Sequence, residues 1–217
     1  MSYWHGLVTG AALVGMSVAL VAAAKPARFG TIDVERINVR EKDGTLRLVI
    51  ASRDAFPGAF HRGQEIPRPD RRFAAGMLFL NDEGTENGGL IWAGKSDGTK
   101  RSAGASLTFD RYENDQTLQL LQNDNGGDND LAAMIISDRG KETMFEQVDG
   151  KAKIRDDAGR GAGRIFVGKS RDRASVVMLQ DAKGAPRLML KVDADGTASI
   201  GFLDAAGKVV RTLGPEG

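Results

Sequence analysis

Six Asx-Gly pairs constrain this chain more tightly than any other feature. Asp43-Gly44, Asn87-Gly88, Asp97-Gly98, Asn125-Gly126, Asp149-Gly150 and Asp195-Gly196 punctuate the sequence after residue 30. Such pairs tolerate the positive φ angles of tight hairpin turns. Between them the apolar pattern has period two. Leu46, Leu48 and Ile50 alternate with Thr45, Arg47 and Val49, and Leu188, Leu190, Val192 and Ala198, Ile200, Phe202 repeat the pattern. Glycine, at 28 of 217 residues, is close to double its usual ~7% share. The pattern predicts strands near 31–40, 45–52, 76–81, 89–94, 104–109, 116–122, 131–137, 142–148, 164–169, 174–180, 187–193, 197–203 and 208–213.

Part of the pattern repeats. Leu179-Gln180-Asp181-Ala182-Lys183-Gly184 returns 23 positions later as Phe202-Leu203-Asp204-Ala205-Ala206-Gly207. Weaker echoes are Phe79–Gly84 and Ile135–Gly140. A hairpin cannot bury its own apolar face, so neighbouring units must stack. The expected fold is all-β: an antiparallel hairpin meander, barrel or roll with partial ~23-residue repeats. Two units are expected, 31–148 and 149–217, joined by the basic connector Lys151–Arg155 and Ala158–Arg164.

A different segment precedes them. Residues 6–24 carry no charge, and every charged side chain lies beyond position 24. A helix of that length would span roughly 28 Å, close to the ~30 Å hydrocarbon core of a bilayer. Tyr3 and Trp4 precede it and Lys25-Pro26-Ala27-Arg28 follows, so residues 1–28 read as a transmembrane anchor. Ala22-Ala23-Ala24 also fits the cleavage site of a signal peptide, although Met1–His5 lacks the positive n-region. Lys25, Arg28, Arg36, Arg40 and Lys42 place the body on the cytoplasmic side of an inner membrane; cleavage would leave it periplasmic. Ala11, Gly15, Ala19 and Ala23, with Gly6 and Gly10 beside them, give the helix a small-residue face of the kind that packs on other membrane helices.

The stretch Phe56-Pro57-Gly58, Arg62-Gly63, Pro67–Arg71, Ala75–Phe79 and Asn81–Ile91 resembles a family of uncharacterised bacterial proteins. The resemblance covers roughly residues 33–147. It implies a β-rich domain behind an N-terminal hydrophobic segment and brings no activity to any residue.

The segment 53–73 breaks the strand rhythm with three prolines, two phenylalanines besides Phe73, and five arginines. Arg53, Arg62, Arg68, Arg71 and Arg72 would fork onto partner carboxylates or anionic lipid headgroups, with Phe56 and Phe60 as apolar anchors. An ordinary loop pinned by its own Arg–Asp pairs is the competing reading. Acidic charge collects at 110–130, where Asp124, Asp128 and Asp130 offer oxygen ligands for calcium without the EF-hand spacing; a polar hairpin tip explains them equally well.

Chemistry is sparse. There is no cysteine and there are two histidines, which excludes thiolate zinc sites, thiol nucleophiles and histidine-rich metal centres. A net charge of +1 argues against a nucleic-acid binder. His61 has no triad partners in recognisable order, Glu65 and Asp70 have no paired-carboxylate spacing, and no phosphate-binding glycine motif occurs. No cofactor is expected. The expectation is a non-enzymatic accessory or scaffolding subunit of an inner-membrane complex, partnered by other integral membrane subunits and the bilayer. One N-terminal helix and a cytoplasmic β-rich body is similar in layout alone to the H subunit of purple-bacterial photosynthetic reaction centres. The alternative is a processed periplasmic or secreted module binding a glycan or protein.

Overall fold

Alternating residues fold here into sixteen strands, seen in a computed structural model that describes residues 27–128 and 130–215. The strands are β1 (Arg36–Arg40), β2 (Leu46–Ala51), β3 (Ala59–His61), β4 (Gln64–Ile66), β5 (Ala75–Leu80), β6 (Glu86–Ser96), β7 (Arg101–Asp110), β8 (Gln116–Asp124), β9 (Leu131–Arg139), β10 (Phe145–Val148), β11 (Lys151–Ile154), β12 (Gly161–Lys169), β13 (Ser175–Gln180), β14 (Pro186–Val192), β15 (Ala198–Leu203) and β16 (Val209–Leu213). Twelve of them form one antiparallel sheet in the order β1-β2-β5-β6-β7-β8-β9-β12-β13-β14-β15-β16. The meander is therefore open, with β1 and β16 as its edges, and is not closed into a barrel. The ladder runs unbroken from β9 to β12 past the expected division near 148. Among the described residues no helix is long and apolar enough to cross a membrane. The anchor positions Gly6, Gly10, Ala11, Gly15, Ala19 and Ala23 lie outside the described residues.

One turn recurs along the meander. At 41–45, 81–85, 170–174, 181–185, 193–197 and 204–208, the first N–H donates to the fifth carbonyl and the fourth N–H donates back to the first carbonyl. The fourth residue has positive φ, a glycine everywhere except Arg173. This is the three-residue hairpin loop with its bulge, and it explains why Asp-x-x-Gly recurs. Asn81, Asp181 and Asp204 add a side chain: each Oδ1 accepts backbone N–H groups two and four residues on. The two repeat copies thus make the same turn.

Five of the Asx-Gly pairs sit in turns; Asn87-Gly88 does not. It lies inside β6, because the turn between β5 and β6 is already made by Asn81–Thr85. Gly88 serves close approach instead, since a Cβ there would lie 2.3 Å from the Thr108 carbonyl oxygen.

Two hairpins leave the sheet. The segment expected as an irregular loop contains β3 and β4, turning at Arg62-Gly63 where both φ angles are positive, followed by a 3-10 turn at Pro69–Arg71. The second is β10–β11, which turns at Asp149-Gly150 and converts part of the basic connector into a strand. The two hairpins meet where the Ala152 N–H donates to Gln64 Oε1 at 3.0 Å and the His61 ring stacks on Phe145 with centroids 4.4 Å apart. Ala59, Ile66 and Phe145 bury a small core between them. The main core lies between the first hairpin segment and one face of β2, β5 and β6, and holds Val49, Leu78, Leu80, Phe56 and Phe60.

Candidate functional site

Register decides what each sheet face displays, because paired residues in adjacent strands share a face. One cross-strand row begins Ile37, Ile50, Met77, Leu90, Leu107, Leu120. It continues Met134, Val167, Val177, Leu190, Ile200, Leu213. Every strand of the sheet contributes one large apolar residue and no charge interrupts the row. At about 4.8 Å per strand it spans roughly 50 Å.

A second row lies two residues along the strands on the same face, from Val39, Leu48 and Phe79 through Gly88 to Phe109, Leu118 and Ile136. It ends Ile165, Leu179, Leu188, Phe202, Arg211. Its only charge is the last member, and Arg211 lies over the Phe202 ring at 6.0 Å. In the first row Ile37, Leu120, Val167, Leu190, Ile200 and Leu213 are 36–48% exposed. Along β12–β16 the face forms a shallow groove of about 650 Å³ lined by Val167, Val177, Leu190, Val192, Ile200 and Leu213.

The opposite face carries the polar chemistry. Arg71 is held by the 3-10 turn so that its guanidinium forks onto Glu86 at 2.8 and 2.9 Å. Nearby at the end of β7, Asp110 has a buried Oδ1 with no hydrogen-bond partner among the described residues. Burial first, and then the charges of Glu86 and Asp115, push its carboxyl up to about 7. At the hairpin tip Glu113 receives Arg62 at 2.9 Å and His61 Nε2 at 3.2 Å. Burial pushes Glu113 up, but the hydrogen bonds from Arg62, His61 and Thr143 outweigh it and hold the carboxyl below its ordinary range. These groups tie hairpins to the sheet.

The loop arginines separate under this geometry. Arg53 pairs with its neighbour Asp54, Arg68 forks onto Asp70, Arg71 onto Glu86 and Arg62 onto Glu113, so these four meet their own chain. Arg72 is exposed beside Phe73, itself 62% exposed. Phe56 and Phe60 correct the expectation of surface anchors: they are 9% and 4% exposed, because the loop folds back and spends them on the core. The acidic tip assembles no cation site among the described residues. Asp124 accepts the Gly126 N–H, and Asp130 is held by Lys169 at 2.6 Å.

The sequence does not show this face, although every large apolar member of the two rows falls within an expected strand. Strand periodicity marks which residues alternate; only the pairing shows that twelve alternations fall in phase. Compared with known family models and with curated proteins, the chain matches none.

Proposed function

We propose that this protein is a non-enzymatic accessory or scaffolding subunit of a membrane complex. In this reading the charge-free segment 6–24 sits among partner helices, and the basic residues after it hold the β body on the cytoplasmic side. The sheet then serves as an interaction platform. One observation carries the reading: the uninterrupted apolar row, one residue from each of twelve strands, left without a covering layer among the described residues. Proteins rarely leave so long an apolar strip open unless something docks on it.

Membrane fractionation of the full chain, with determination of its N-terminal residue, tests this. A carbonate-resistant membrane protein that keeps residues 6–24 is the expected result. A soluble protein beginning at Lys25 overturns it and supports the processed periplasmic or secreted module instead.

A further inference from the structure

We infer that the occupant of the apolar face is a second copy of this chain, packed face to face as a two-sheet sandwich. The inference rests on the platform reading above and names its partner. Size is the first argument. Twelve large apolar side chains of this face, including Trp92 and Val192 in the next row along, are at least 36% exposed. Together they leave on the order of 900 Å² open, beyond the few hundred Å² usual for a monomer. That is close to the ~800 Å² each partner gives to a stable interface.

Charge is the second argument. Neither apolar row contains an acidic residue and Arg211 lies at the margin, while in the row of Trp92 and Val192 the charge is Lys169, already paired with Asp130. Stacking the two rows on themselves therefore opposes apolar side chains with no like charges in the middle of the contact, at the ~10 Å separation of packed sheets.

The edges argue against the other route to self-association. β1 carries Arg36 and Arg40, β16 carries Arg211, and neither strand has an acid. Pairing edges of two copies would bring arginines together, the kind of charge that guards a sheet edge.

The absence of cysteine makes the test clean. Leu120 is 48% exposed on β8, the sixth of the twelve strands, so a two-fold contact centred on the sheet brings it near its own equivalent. Val210, 62% exposed on β16, reports the edge. Full-length Leu120→Cys and Val210→Cys chains are treated in intact cells with a short bismaleimide. Leu120→Cys is expected to yield a species of twice the chain mass, and Val210→Cys to yield none. Adding Ile200→Arg should lower the Leu120→Cys yield at least tenfold. Ile200→Thr, which still suits a strand, should act in the same direction if the arginine impairs folding. Cross-linking through Val210→Cys alone overturns the inference. So does capture of Leu120→Cys only by a different protein, an outcome that leaves the platform reading standing. A membrane-bound chain that gives no cross-link at either position overturns the second copy, while soluble fractionation overturns the membrane reading independently.

Discussion

Asp110 ends β7 with one carboxylate oxygen buried and unpartnered, in sight of Glu86 and Asp115. Its carboxyl titrates near 7 in the fold against an ordinary value of 3.8. A raised carboxylate favours the protonated form in the folded state. Its contribution is therefore fully present below about pH 4, is lost as pH rises towards 7, and stays lost above. Asp110→Asn mimics the protonated acid. The variant should match the parent near pH 4 and exceed it by on the order of a few kcal/mol at pH 8, read from denaturant unfolding across that range. Equal pH slopes would remove the assignment. Phe56 illustrates the opposite kind of residue, one whose type suits a surface anchor but which the fold buries. Phe56→Ala should cost about 3–5 kcal/mol of stability, measured by urea unfolding, because it empties part of the core it shares with Val49 and Leu78. Nothing in the residue's identity distinguishes an anchor for a partner from an anchor for its own sheet. The deciding fact is that β3 and β4 fold the loop back.

Elements were the most legible scale, and the reason is turn chemistry. Asp181 accepts N–H groups from Lys183 and Ala185 through Oδ1 and receives Arg187 on Oδ2. The whole turn is thus written in five residues, and a reader of sequence finds it. The hairpin at Arg62-Gly63 escapes because arginine, unlike Asn or Asp, does not advertise a left-handed conformation. Asn87-Gly88 misleads for the complementary reason: Asn81 had already committed the preceding residues to the turn. Asp181→Ala should lower the melting temperature by a few degrees, since it strips acceptors from two backbone donors and a guanidinium. Asp195→Ala, whose carboxylate meets Thr197 in an exposed turn but no guanidinium partner like Arg187 among the described residues, should cost less than half of that in the same thermal melts. Comparable losses at both sites would mean that the side chains contribute little to these turns.

Across the whole sheet, protection is uneven, and the unevenness follows from what covers each face. Val49 and Leu78, at 0% and 2% exposure, lie beneath the first excursion hairpin, whereas Leu190 on β14 is 41% exposed on a face that no other described element covers. All three belong to strands paired on both sides, so hydrogen bonding alone does not separate them. This scale was the least readable from sequence, because a one-residue slip in any pairing would have sent its strand's apolar side chains to the other face. The twelve-member row exists only as the sum of eleven registers. Opening of a β strand must expose apolar surface to be costly, and strands already exposed on one face have less to lose. In the uncoupled chain, held as monomer by Ile200→Arg, the amides of Val49 and Leu78 should exchange with deuterium at least tenfold more slowly than that of Leu190. Restoring Ile200 should slow exchange at Leu190 more than at Val49, since only the open face gains a cover. Equal protection at Val49 and Leu190 in the monomer would mean that the hairpin layer adds nothing to the sheet it covers, and no change at Leu190 on restoring Ile200 would leave the face without an occupant.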